Sequence, residues 1–130
     1  MSTRSRIAVL QNDGSVKSIY CHWDGYPSHN GKMLMQHYNS KSLADALVAM
    51  GDMSSLDVNI EKSTFYTRDR GEKTPGVNYS NAFEFFEDLG SDWEEYTYLF
   101  KNGEWVCFVG ENHSPLPIAK AIEIDMAESA

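Results

Sequence analysis

Two runs of aromatic and β-branched residues, Tyr96-Thr97-Tyr98-Leu99-Phe100 and Trp105-Val106-Cys107-Phe108-Val109, flank the segment Lys101-Asn102-Gly103-Glu104. No other feature limits the fold as tightly. A two-residue hairpin turn needs positive φ at both central positions, which Asn and Gly tolerate best, and the flanking runs suit a pleated, half-buried surface. The chain must therefore contain an antiparallel sheet, with everything else arranged around it.

A second hairpin is predicted near the start. Residues 6–11 read as one strand, Asn12-Asp13-Gly14 as the turn and residues 16–23 as the return. In the returning strand Lys17, Ile19, Cys21 and Trp23 share one face, and Val16, Ser18, Tyr20 and His22 the other. The first set is the more apolar and is assigned to the core, which leaves His22 beside Tyr20 on the accessible side. A slip of one residue would invert this assignment.

Between the hairpins, Ser28 is expected to cap a helix carrying Met33, Leu34 and Tyr38. Ser40 or Ser42 is expected to cap another, with the stripe Leu43, Ala44, Leu47 and Val48, closed by Gly51. Short strands are expected at residues 57–60 and 64–67, followed by a polar Gly/Pro-containing surface loop at 68–76. Ser80 then caps a helix burying Phe83, Phe86 and Leu89 and ending at Gly90. A final helix carries Ile118, Ala121 and Ile122. Two hairpins with grouped helices predict a single α+β domain over residues 1–130: an antiparallel sheet built from two hairpins, with helices packed on one face.

At 130 residues, 42% of them hydrophobic, the chain can bury a core without a metal or disulfide staple. Its two cysteines, Cys21 and Cys107, are far apart and fit no ligand spacing, so both are read as reduced thiols. No apolar run approaches the roughly 20 residues that cross a bilayer. The run Ile7-Ala8-Val9-Leu10 is too short for a secretory signal, so a cytoplasmic location is expected. No Gly-rich phosphate loop, Walker-type or dinucleotide fingerprint is present, and no HxH, HExxH or CxxC spacing. No cofactor and no metal site are expected.

The net charge of −8 is unevenly distributed. Residues 1–83 hold nine basic and eight acidic side chains, whereas residues 84–130 hold two basic and eleven acidic ones. Such asymmetry suits a partner with a basic surface and disfavours direct DNA binding, which needs Lys and Arg against phosphates. The densest acidic stretch is Glu84, Glu87, Asp88, Asp92, Glu94 and Glu95. Helical spacing sets the first three opposite Phe83 and Phe86, as an exposed polar face or as a partner-binding surface.

The run Cys21-His22-Trp23-Asp24-Gly25-Tyr26-Pro27 crowds a thiol, an imidazole, an indole, a carboxylate and a phenol together. It is either a turn locked by its own side chains or the rim of a binding site. His22 and Asp24 could serve as a base and its orienting carboxylate. Cys21 projects to the opposite strand face from His22, against a thiolate–imidazole pair, and reads as a small buried hydrophobe. Trp23 and Tyr26 could stack on a nucleobase, and Arg68 and Arg70 could grip its phosphate. Those six residues, His22, Trp23, Asp24, Tyr26, Arg68 and Arg70, form the candidate site for a nucleotide-like small molecule.

The segments Arg4-Ser5-Arg6-Ile7-Ala8-Val9 and Ser18-Ile19-Tyr20-Cys21-His22-Trp23-Asp24-Gly25-Tyr26-Pro27, with Gly31, Leu34 and Tyr38, resemble the opening of small proteins encoded by bacteriophages and prophages. The likeness extends through Gly51-Asp52-Met53-Ser54-Ser55-Leu56. It implies a viral accessory protein acting in the cytoplasm of the infected bacterium, and it carries over no catalytic residues. With no motif that demands chemistry, the leading expectation is a non-enzymatic protein that engages a host factor, blunting an antiviral defence through its acidic surface. A nucleotide-signal binder is the alternative, and a small hydrolase using His22 and Asp24 a further one.

Overall fold

The computed structural model describes residues 2–129. In chain order it runs β1 (Ser5–Leu10), β2 (Val16–Cys21), one π-helical turn (Pro27–Gly31), α1 (Lys32–His37), α2 (Lys41–Val48) and β3 (Met53–Ser55). It continues through β4 (Thr64–Phe65), α3 (Tyr66–Arg70), β5 (Val77–Tyr79), α4 (Ala82–Glu87), β6 (Tyr96–Lys101), β7 (Glu104–Val109), β8 (Leu116–Pro117) and α5 (Ile118–Ser129). The mixture of helices and strands is the expected α+β class.

Both predicted hairpins form. Asn102 and Gly103 have φ of 51° and 82°, the left-handed pair that a tight turn between β6 and β7 requires. At the first hairpin Gly14 donates its N–H to the Gln11 carbonyl, while the Asp13 carboxylate accepts the amide and hydroxyl of Ser15. The hairpins then join through their first strands, β1 lying parallel to β6 with Ile7 opposite Tyr98 and Val9 opposite Phe100. The wholly antiparallel sheet is thus corrected to a mixed one, in the order β4-β3-β2-β1-β6-β7-β8. Hairpin signals dictate how neighbouring strands pair, but the crossover through the helices returns β6 in the direction of β1.

Along its outer side β2 is shared. β5 pairs with it as far as Ser18, and β3 takes over, in parallel, at Cys21. The Tyr20 amide falls between the two partners and donates instead to Asp52 Oδ1 at 2.9 Å. A carboxylate thereby completes the ladder where no strand can.

One sheet face carries Ile7, Val9, Ile19, Cys21, Tyr98, Phe100, Trp105 and Cys107 beneath α1, α2 and α5. The opposite face carries Ala8, Val16, Leu99, Val106 and Phe108 beneath Phe85 and Leu89. Helices therefore cover both faces, which corrects the expected single covered face. The residue that matters is Phe85: it is the fully buried ring of α4 and stacks edge-on to Tyr79 with centroids 5.6 Å apart. Burying such a ring stabilises the fold by about 1.5–3 kcal/mol. Phe83, assigned to the core from sequence, points to solvent instead.

Smaller corrections have local causes. Asn81, one residue past the predicted Ser80, caps α4 by accepting the Glu84 amide at 2.9 Å, while Ser80 Oγ donates to the Glu84 carboxylate. Ser28 caps nothing, because it lies within the π-helical turn that runs into α1; its amide donates to Asp125 of α5. Residues 57–60 form an irregular bend leading into a turn, and the strand lies earlier, at β3. The loop expected at 68–76 is partly α3, which ends on Gly71 at φ 68°. Ser40 does cap α2, accepting from the Leu43 amide at 3.2 Å.

Candidate protein-docking site

The Cys21–Pro27 motif turns inward more than it opens outward. Asn30, fully buried, donates from Nδ2 to Ser5 Oγ at 3.2 Å and to Cys21 Sγ at 3.3 Å. Gly25 donates its amide to the Thr3 carbonyl, and its own carbonyl accepts the Tyr98 hydroxyl at 2.6 Å. A Cβ at Gly25 would lie 2.7 Å from both Ser5 Cβ and the Thr3 oxygen, so the strand and turn touch without room for a side chain. Burial lifts the Cys21 thiol to about 11, despite hydrogen bonds that favour the thiolate, so it is no nucleophile near neutral pH. The locked-turn reading describes Cys21, Gly25 and Asn30.

His22, Trp23, Asp24 and Tyr26 lie at the periphery of that turn. His22 Nδ1 is hydrogen-bonded to the Tyr20 hydroxyl at 2.7 Å, and its ring meets Trp23 edge-on at 4.8 Å. Asp24, at φ 56°, accepts from the Tyr26 hydroxyl at 3.2 Å. Each member of the expected base–carboxylate dyad thus has a tyrosine as its side-chain partner. Among the described residues His22 and Asp24 are not hydrogen-bonded to each other.

The two arginines divide. Arg68 forks onto Asp69 and donates to the carbonyls of Ile60 and Ser63, holding the 57–63 turn while its guanidinium lies 5.1 Å from the Phe65 ring centroid. It is a structural clamp with little left for a phosphate. Arg70 stacks on Tyr66, while the Ser54 carbonyl accepts the Trp23 amide. Among the described residues neither guanidinium is stacked on or hydrogen-bonded to Trp23 or Tyr26.

The acidic stretch is also divided, and Arg6 divides it. This side chain, 3% exposed, projects from β1 on the α4 side of the sheet. Its guanidinium reaches the Tyr79 hydroxyl, Asp88 at 3.3 Å, Asp92 at 2.7 Å and Glu94 at 3.6 Å. Burial disfavours the positive charge, but Glu94, Tyr79, Asp92 and Asp88 together outweigh it and hold the group firmly ionised. Glu94, itself buried, accepts the amides of Gly90 and Asp92. Three of the six acids expected to form one partner surface, Asp88, Asp92 and Glu94, therefore serve an internal cation. Glu84, Glu87 and Glu95 remain exposed, and Asp92 keeps an exposed flank.

This clamp presents a residue that sequence reasoning passed over. Trp93 sits between Asp92 and Glu94, each tied to Arg6, and its indole is 81% exposed. Its φ of 65° is rare for a bulky side chain, whose Cβ crowds the carbonyl in the left-handed region. Beside it, with Ser2, Arg4 and Glu95, lies an open concavity of about 300 Å³. Phe83, on α4, is 70% exposed. The signal available in the sequence was an indole between two acids with no apolar residue adjacent to it or at strand spacing.

Among the described residues no group of three His, Cys, Asp or Glu side chains is placed to hold a metal ion, and no helix is long and apolar enough to cross a membrane. No protein-family model, curated protein or solved structure matches the chain.

Proposed function

We propose that this protein is a non-enzymatic binding module whose α4 side docks onto a basic protein surface, with Trp93 and Phe83 as apolar anchors among Glu84, Glu87, Asp92 and Glu95. The observation that carries this reading is Trp93: a large ring held outward in a rare backbone conformation by two acids clamped on a buried arginine. Exposed tryptophans are prominent among the few residues that dominate interface energies, and a pre-set anchor loses little freedom on binding. The carboxylates around it favour a cationic partner and would speed the encounter. The resemblance of the first 56 residues to phage-encoded proteins supports a bacterial host factor, including a component of antiviral defence, as that partner.

The test is a pull-down from bacterial lysate with the wild-type chain, Trp93→Ala, and the triple reversal Glu84→Lys, Glu87→Lys, Glu95→Lys. A specific partner should be weakened roughly 30-fold by Trp93→Ala, the effect of losing about 2 kcal/mol at an interface hot spot. It should be lost in the triple variant and at raised salt, with the melting temperatures little changed. Equal capture by all three proteins would refute the reading.

A further inference from the structure

The largest of the described cavities, about 600 Å³, lies at the opposite end of the sheet from the Cys21–Pro27 motif. It opens between the two hairpin turns and the start of α2. Its rim bears Lys41 and Lys101 together with the amide side chains of Gln11, Asn12, Asn39 and Asn102. In a chain of net charge −8, the residues lining this cavity include two lysines and no Asp or Glu. The smaller concavities described near Tyr26, Trp93 and the α5 flank all include Glu or Asp.

The polar groups here are largely unengaged. The side chains of Asn12, Asn39 and Asn102 have no hydrogen-bond partner among the described residues, and Lys101 pairs with no carboxylate there. Lys41 directs one N–H to Asp45, which stands behind it at 2.6 Å and also accepts from Gln11 Nε2. Asp45 thereby fixes two rim donors in place while leaving two N–H groups of Lys41 for a ligand. Primary amides offer a donor and an acceptor side by side, which complements vicinal hydroxyls. Ammonium groups suit a phosphate. Phe100, the aromatic residue in the lining, is 2% exposed and gives a nucleobase no stacking platform. The volume falls within the usual range for small-molecule sites.

We propose that this cavity binds a small phosphorylated sugar, its phosphate toward Lys41 and Lys101 and its hydroxyls toward Asn12, Asn39 and Asn102. This site is independent of the docking face and stands or falls separately from it.

The experiment is an amide-resolved NMR titration of the wild-type protein with ribose 5-phosphate, ribose, inorganic phosphate and AMP. Ribose 5-phosphate should shift the side-chain amides of Asn12, Asn39 and Asn102 and the backbone of Gly103 in a saturable manner. Ribose or phosphate alone should bind at least tenfold more weakly, and AMP no more tightly than ribose 5-phosphate. The double variant Lys41→Glu, Lys101→Glu should lose the response with an unchanged spectrum elsewhere. Absence of saturable shifts, equal binding of phosphate or ribose alone, tighter binding of AMP, or retention in the double variant would each overturn the proposal.

Discussion

Replacing Arg6 by Met tests the clamp that organises the α4 side of the molecule. Methionine fills much of the same space but removes the cation, leaving Glu94 buried with only the Gly90 and Asp92 amides to stabilise it. The Tyr79–Asp88 hydrogen bond, 2.5 Å long, would survive, so the loss is centred on Glu94 and Asp92. Removing one partner of a buried ion pair costs about 3–5 kcal/mol. For a chain of this length that is a fall of roughly 10–20 °C in melting temperature. Urea unfolding followed by tryptophan fluorescence gives the free energy, and a cycle with Glu94→Gln gives the coupling. In the Arg6→Met background Glu94→Gln should be less destabilising than in the wild type by about 1–3 kcal/mol, because the uncompensated charge disappears. Burial raises the pKa of Asp88, but hydrogen bonds from Tyr79, Ser91 and Arg6 outweigh it and hold the carboxyl below its ordinary value of 3.8. Its stabilising contribution is therefore complete above about pH 4 and lost on further acidification, and Arg6→Met should flatten that loss. A penalty under about 1 kcal/mol with no coupling to Glu94 would show that the clamp is not what holds this region.

Two further outcomes follow from single sites. Burial holds Asp52 above its ordinary pKa, so its ionised form opposes folding at neutral pH, and that penalty fades as pH falls through the raised value. Asp52→Asn keeps an acceptor for the Tyr20 amide, so it should match or exceed wild-type stability at pH 7, with the gap closing towards pH 4. A loss above about 1 kcal/mol at pH 7 would contradict this. Both thiols are buried, and burial raises Cys21 to about 11 and Cys107 to about 12. An aromatic disulfide reagent at pH 8 should therefore modify neither in the native protein and both in urea; rapid native labelling of either would break the assignment.

The features legible in the sequence were those set by adjacent residues. Asn102-Gly103 between aromatic runs, Asn12-Asp13-Gly14, the Ser40 cap and the alternation that sends Cys21 inward each depend on a few neighbouring side chains. The structure realises all four. What depended on distant partners was not legible. The parallel contact of β1 with β6, the choice of Phe85 over Phe83 and the capture of three acids by Arg6 join residues far apart in the chain. Arg6 looked like one of the nine basic residues in the first 83, and the carboxylates around it looked like an exposed polar face. For the same reason the Trp23, Tyr26, Arg68 and Arg70 grouping dissolves: each finds a nearer partner, and Trp93 emerges where periodicity had nothing to say.

Because β1 lies between β2 and β6, the sheet stays incomplete until residues 96–100 exist to fill it. A ribosome-bound chain that has made only the first hairpin and its helices still displays a bare strand flank carrying Ile7 and Val9, and closing that flank means bringing together segments from opposite ends of the molecule. Such distant pairing slows assembly. Shortened versions stopping before Tyr96 are therefore expected to aggregate, so any dissection of this protein should proceed by point substitution in a chain that keeps residues 96–100.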